Sequence, residues 1–232
     1  MSYVRHLLRL RLSVSSNRLS TTRIIALAFA AIILTGALLL TLPVASRNGE
    51  SCGFLTALFT ATSATCVTGL ILVDTFVQWS GFGQVVILSL IQIGGLGFMS
   101  IASIFAFSLH KKLGLKQRML LAQAMSLNDM EGVVRLQKHV LVGTFSLESL
   151  GALVLFFRFL PSYGPWNALK WGVFHSVSAF CNAGFDLFGR FGQYSSLAPY
   201  VNNYYVQAVV MFMIISGGFF CLGGSAPGGA YP

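Results

Sequence analysis

Charged side chains are scarce in this sequence of 232 residues, since Asp, Glu, Lys and Arg together make up 9% of it. Soluble domains usually carry about a quarter of such residues. Hydrophobic residues, in contrast, reach 55%. The shortage of charge therefore excludes an ordinary soluble domain and predicts a membrane protein.

Cysteine and histidine are also sparse, with 4 residues of each. The cysteines show no CxxC spacing, and the histidines lie in separate segments. No disulfide framework, zinc site or haem pair is indicated. We therefore expect a protein that is not an enzyme and needs no cofactor. The alternative is a redox or quinone-binding membrane subunit, which an absorption spectrum would test.

The net charge of +9 comes from basic residues that form two blocks beside apolar runs. The first block is Arg5, Arg9, Arg11, Arg18 and Arg23, and the second is Lys111, Lys112, Lys116, Arg118, Arg135 and Lys138. Such blocks face the cytoplasm by the positive-inside rule. We expect a plasma-membrane protein that crosses the bilayer several times, has a cytoplasmic N-terminus and binds no nucleic acid.

Long apolar runs occur at 24–42, 81–109, 133–160 and 204–222. The first run would span ~28 Å as a helix at about 1.5 Å per residue, enough for a bilayer core. A secretory signal is the competing interpretation, but its apolar region is typically about 7–15 residues long. Two other apolar segments, 54–65 and 166–180, are too short to cross a bilayer as helices.

A short segment is repeated beside these runs: FTATSATCVTGL at 59–70 and FHSVSAFCNAGF at 174–185. The ungapped alignment pairs Phe59 with Phe174, Ser63 with Ser178, Ala64 with Ala179, Cys66 with Cys181 and Gly69 with Gly184. Each copy ends a short apolar segment that lies between two long runs. The sequence therefore predicts a unit of long helix, short helix, glycine-containing loop and long helix, present twice.

A non-helical loop at membrane depth is tolerated only if its backbone lines a watery cavity or is buried in protein, because unsatisfied N–H and C=O groups are costly in lipid. Carbonyl rings replace the water shell of a potassium ion, and glycine allows the backbone to turn successive oxygens inward. We expect the following residues to form a selectivity filter: Cys66, Val67, Thr68, Gly69, Cys181, Asn182, Ala183 and Gly184. The alternative is an ordinary helix-breaking turn in a packed bundle.

An acidic residue follows each copy, Asp74 after the first and Asp186 after the second. At an outer mouth, either carboxylate would raise the local concentration of cations. A solvated loop aspartate is the alternative. Glu148 lies inside the third long run, where an ionisable group usually faces a cavity or a partner. His175 occupies the place of Thr60, where we expect a hydrogen bond to neighbouring backbone.

Three stretches carry a family resemblance: TATSATCVTGLILVDT at 60–75, IQIGGLGF at 91–98 and FHSVSAFCNAGFDLFG at 174–189. They resemble the Trk/Ktr/HKT potassium transporters, most of all the N-terminal half of the bacterial Ktr membrane subunit, KtrB-type. The resemblance implies potassium uptake through four helix–pore helix–filter loop–helix units around one pore. It also implies a homodimer in the lipid bilayer and a cytoplasmic nucleotide-binding ring partner, KtrA-type. Sodium as an activating ion is left open.

The predicted organisation is an all-α membrane protein with two of these four units. Its parts are a basic N-terminus (1–23), a first unit (24–109), a cytoplasmic linker (110–132), a second unit (133–222) and a tail (223–232). The last apolar run passes through Gly217-Gly218 into CLGGSAPGGAYP at 221–232, and the glycines and prolines of this stretch are a poor continuation of a helix. We expect a truncated or frame-shifted reading frame, or a fragment. A truncated, non-conducting membrane fragment or scaffold is therefore the alternative function.

Overall fold

The computed structural model describes residues 21–97 and 133–223. The predicted linker and nearly all of the basic N-terminus and the tail lie outside these ranges. Within them, the regular elements are helices, joined by loops that hold one isolated bridge between Ser46 and Trp79. The all-α prediction is confirmed for this part of the chain.

The first described range, 21–97, contains four α-helices: α1 (Thr21–Thr41), α2 (Phe54–Thr65), α3 (Thr75–Gln78) and α4 (Gly81–Leu96). Helix α1 ends just before Pro43, which begins a short 3-10 turn, because proline has no N–H to continue the helix. Helix α4 begins after Ser80, whose hydroxyl accepts a hydrogen bond from the N–H of Gly83. This cap satisfies one of the free donors at the helix start.

The second half contains α5 (Val133–Phe180) and α6 (Tyr204–Gly223). Helix α5 has a break at Gly164, where φ is 72°. The next residue is Pro165, which disfavours the helical conformation of the residue before it. The sequence predicted a long helix that ends at Pro161 and a separate short one from 166. The structure confirms the separation and places the break at Gly164.

Length and apolar composition qualify one helical stretch of the described residues as a membrane span, His139–Phe180. The break at Gly164 falls inside it. Shorter apolar helices cover Ile25–Thr41, Phe54–Thr65, Gly81–Leu96 and Tyr204–Phe219. The second predicted run, 81–109, continues beyond the residues that the structure describes, so its full length lies outside them.

Packing joins the long helices into two groups, which meet where α4 touches α5 and where α3 touches the short turn at Phe188–Arg190. Helices α1, α2 and α4 pack together, α6 packs on α5, and α4 touches α5. Aromatic rings fill the second group around Phe159, which contacts Trp171, Phe188 and Tyr200 edge to face or nearly so. The loop that follows each short helix is thereby held between long helices.

Candidate ion-binding site

The first candidate filter segment, 66–69, is a tight turn at the end of α2. The N–H of Cys66 donates to the carbonyl of Thr62 at 2.8 Å, and the N–H of Thr68 donates to that of Ser63 at 3.0 Å. Val67 and Gly69 have φ angles of 55° and 74°, in the left-handed region that side chains disfavour. The chain therefore leaves helix α2 through a defined turn with a strained backbone conformation, and the helix end is not simply frayed.

The second segment, 181–184, repeats this turn at the end of α5. The N–H of Cys181 donates to the carbonyl of Val177 at 2.9 Å, and the N–H of Ala183 donates to that of Ser178 at 2.8 Å. Asn182 and Gly184 have φ angles of 57° and 72°. Each of these features stands at the position that the ungapped alignment assigns to it, so the two segments share one backbone conformation.

The two turns lie against each other at their glycines. A Cβ atom built on Gly69 would be 2.7 Å from the carbonyl oxygen of Ala183. A Cβ built on Gly184 would be 3.4 Å from the Cα of Gly69. The fold thus brings the two predicted filter segments together, and only glycine at position 69 permits that distance.

Glycines in the long helices allow each turn to be packed closely from behind. A Cβ on Gly94 of α4 would overlap the carbonyl of Thr65, and a Cβ on Gly217 of α6 would overlap that of Phe180. Thr65 and Phe180 are the last residues of the helices that precede the two turns. Gly94 and Gly217 therefore make matching contacts behind the two turns.

The side chains of the two turns differ. The hydroxyl of Thr68 donates to the hydroxyl of Ser63 at 3.0 Å, which ties the first turn back to its helix. Ala183 stands at the matching place in the second turn and is buried. Cys66 is exposed, whereas Cys181 is partly buried and lies against Gly95. The two turns thus have their backbone conformation in common, whereas their side chains differ.

Asp74 is buried, with 4% of its surface exposed. One carboxylate oxygen accepts hydrogen bonds from the N–H groups of Phe76 and Val77, at the start of α3. The other accepts from the N–H of Tyr194 at 2.8 Å. Gly189 also approaches the carboxylate so closely that a Cβ there would overlap it. Asp74 therefore caps a helix and joins the loops that follow the two turns.

Asp186 is half-buried and accepts one hydrogen bond, from the N–H of Phe188 at 2.9 Å. Burial raises the pKa of its carboxyl above the ordinary value, and the charge of Asp74 raises it further, while the Phe188 bond lowers it. It lines a cavity of about 230 Å³ together with Asn182 and Gly184. Of the two aspartates, Asp186 is the one with a carboxylate close to open space.

His175 is buried between backbone groups on both sides. Its Nδ1 is 2.7 Å from the carbonyl oxygen of Trp171, and its Nε2 accepts from the N–H of Leu187 at 3.2 Å. Because Nε2 accepts, Nδ1 carries the proton, and the ring is neutral. Thr60 likewise donates to the carbonyl of Thr56, four residues back. The expected backbone hydrogen bond of His175 is confirmed.

Gln92 is a site residue that the sequence reasoning missed. It donates from α4 to the carboxylate of Glu148 on α5, at 3.0 Å and 2.9 Å to the two oxygens. Its only signal was a polar residue inside an apolar run. Within the two described ranges, no group of three or more His, Cys, Asp or Glu side chains is arranged to hold a metal ion.

Comparison with protein families matches residues 5–222 to TrkH, described as a cation transport protein. The chain belongs to the TrkH family. The potassium/sodium uptake protein NtpJ of Enterococcus hirae is 44% identical over 201 residues, which cover 87% of this chain and 44% of the relative. The Ktr system potassium uptake protein B of Bacillus subtilis is 43% identical over 201 residues, with the same two coverages.

A third relative, the Ktr system potassium uptake protein B of Vibrio alginolyticus, is 37% identical over 196 residues, which cover 84% of this chain and 42% of the relative. The chain spans about half the length of the curated relatives it matches. The resemblance to KtrB-type subunits is thus confirmed. Membership in a transport family also agrees with a membrane location and with a protein that is not an enzyme.

Proposed function

We propose that this chain supplies two segments of a carbonyl-lined potassium filter, as part of the pore subunit of a Ktr-type uptake system. The observation that carries the proposal is the pair of turns at 66–69 and 181–184, which share left-handed φ angles and meet at Gly69 and Gly184. The eight residues of these turns are the proposed ion-binding set. Relatives named as potassium uptake or potassium/sodium uptake proteins support a cation of this kind.

The turns are suited to a cation for two physical reasons. Each one follows the C-terminal end of a helix, where about half a negative elementary charge accumulates from the aligned peptide dipoles. The backbone carbonyls can then replace the water molecules that the ion leaves behind. Neither contribution needs a charged side chain in the turn, which agrees with the presence of Ala183 opposite Thr68.

Two segments surround half of an ion, so the proposal requires further segments. A dehydrated cation with an open side would lose coordination that water had provided. We propose that two more units complete the ring, as in the potassium transporters that the chain resembles. The Ktr system names of the relatives support a system of several components. A homodimer, a KtrA-type cytoplasmic nucleotide-binding partner and activation by sodium are further parts of the same proposal.

The proposed topology places the N-terminus in the cytoplasm of a cell bounded by the plasma membrane. The loops that hold the two turns then open to the outside, and Asp186 lies beside the second turn and the cavity that Asn182 and Gly184 line. At that position its carboxylate would attract cations. Asp74 shares this outer position, although its carboxylate oxygens are engaged by backbone N–H groups.

Rubidium flux tests the proposed function. We define the full-length transporter as this chain extended by two further units, and we expect it to take up rubidium into liposomes, with potassium as a better competitor than sodium. Empty liposomes and heat-denatured protein serve as controls. Flux that is absent, or that sodium and potassium block equally, would contradict a potassium filter and favour a membrane scaffold.

A further inference from the structure

Glu148 carries a buried carboxyl directly behind the second turn. The residue is 5% exposed and lies where α4 and α5 touch. The side-chain amide of Gln92 donates to both of its oxygens, and the thiol of Cys181 lies 3.8 Å from one of them. One side chain thus contacts the first group of helices, the second group and the candidate filter.

The backbone at Glu148 is hydrogen-bonded to the part of α5 that follows the break at Gly164 and leads into the second turn. Its carbonyl accepts a hydrogen bond from the hydroxyl of Ser176 at 2.7 Å. Gly151, one turn later, allows that hydroxyl and Met213 of α6 to approach, since a Cβ there would lie 2.5 Å from the Ser176 oxygen. Glu148 therefore has little freedom to move relative to the turn at 181–184.

The first half of the chain has no acidic counterpart at this place. Helix α1, the first long helix, contains no Asp or Glu between Thr21 and Thr41. Helix packing alone is therefore satisfied by an apolar residue. Burial of a carboxyl is costly unless hydrogen bonds compensate it, so this side chain has a task that the apolar residues of α1 do not have.

The second turn is anchored to its helix differently from the first, because the hydroxyl of Ser178, the counterpart of Ser63, donates to the carbonyl of Phe185 at 2.6 Å. Thr68 ties the first turn to Ser63 through a hydroxyl bond of 3.0 Å, and Ala183 at the matching place cannot do so. Yet Asn182 has the same strained φ as Val67, and such a conformation persists only where its surroundings hold it. The Cys181 side chain, next to Asn182, is the one that Glu148 contacts.

We propose that Glu148 is a positioning residue for potassium selectivity: with Gln92, it holds Cys181 and thereby keeps the second turn in its ion-coordinating conformation. The inference rests on the proposed function, since it assumes that the turn at 181–184 coordinates the ion. It assigns to Glu148 no contact with the ion itself.

Single substitutions in the full-length transporter give the first test. Glu148→Gln preserves the shape and one accepting oxygen for Gln92, so we expect a potassium/sodium permeability ratio within about twofold of the wild type. Glu148→Leu removes the carboxylate that contacts Gln92 and Cys181. The potassium/sodium permeability ratio should then fall by about tenfold. Ser149→Ala, at an exposed neighbour on the same helix, is the matched control and should leave the ratio unchanged.

Exchange of the pair gives the second test and covers the case in which Glu148→Leu fails to reach the membrane. Gln92→Glu alone sets two carboxyls against each other and should impair uptake. In the double variant that also carries Glu148→Gln, the carboxyl stands at position 92 and the amide at position 148. The hydrogen-bonded pair is thereby restored in reverse, so selective uptake should return. Rescue would support the pairing, because a purely steric role for either residue would not produce it.

The outcomes separate this inference from the proposed function. If the unmodified full-length transporter shows no rubidium flux, the proposed function fails before the variants are considered. If it is selective and Glu148→Leu, present at normal abundance, keeps the wild-type permeability ratio, the positioning role is wrong. A double variant no better than Gln92→Glu alone would overturn it as well.

Discussion

Gly69 and Gly184 lie backbone against backbone, although 114 residues separate them in the chain. A Cβ on Gly69 would be 2.7 Å from the carbonyl oxygen of Ala183, and one on Gly184 would be 3.4 Å from the Cα of Gly69. Both glycines have left-handed φ angles, 74° and 72°. The contact shows that the two repeated segments lie together in the fold although they are far apart in the chain.

The glycines behind the two turns should be intolerant of a methyl group. Gly94→Ala and Gly217→Ala would each overlap a backbone carbonyl, so each should lower the free energy of unfolding by about 1–3 kcal/mol. Thermal unfolding in detergent would measure this. Gly218→Ala is the matched control, because no atom lies within 4 Å of its Cβ position. Equal melting temperatures for Gly217→Ala and Gly218→Ala would contradict the close approach.

Asp74 should contribute to stability through the hydrogen bonds it accepts. Asp74→Ala removes a helix cap and leaves the N–H of Tyr194 without its partner, which should cost about 2 kcal/mol. Asp186→Ala, which loses one hydrogen bond of a half-buried carboxyl, should cost about 1 kcal/mol or less. Denaturant unfolding of both variants would show the order. A larger loss for Asp186→Ala would be inconsistent with the joining role of Asp74.

Residues 1–232 alone should not restore growth to a potassium-uptake-deficient bacterium at low external potassium. Two filter segments leave half of the ion's coordination open, and that loss is large for a dehydrated cation. The full-length transporter should restore growth under the same conditions, which makes it the control. Growth with the 232-residue chain, together with cross-linking that shows a dimer, would instead make it a two-unit channel.

Local features were the ones that the sequence could predict. The ungapped repeat indicated the shared turn, the end of an apolar run before Pro161 indicated the break that the structure places at Gly164, and the place of His175 opposite Thr60 indicated its backbone hydrogen bond. Each depends on residues that are neighbours in the chain or aligned in the repeat.

Contacts between distant residues were not predictable in this way. The bond from Tyr194 to Asp74 joins residues 120 positions apart, and that from Gln92 to Glu148 joins residues 56 apart. Both depend on which faces of the helices meet, and an apolar run by itself does not specify that. For the same reason, the sequence suggested Asp74 as an outer-mouth charge without indicating the backbone groups that surround its carboxylate.

The permeability ratio of potassium to sodium tests the central claim most directly. In the full-length transporter, Gly69→Ala and Gly184→Ala force a side chain into a left-handed conformation that costs about 1–2 kcal/mol. Gly49→Ala carries the same backbone penalty, since its φ is 73°, but has no neighbour within 4 Å. We predict that the ratio falls about tenfold for Gly69→Ala, falls less for Gly184→Ala, and stays unchanged for Gly49→Ala. Wild-type ratios for both Gly69→Ala and Gly184→Ala would contradict a filter at these turns.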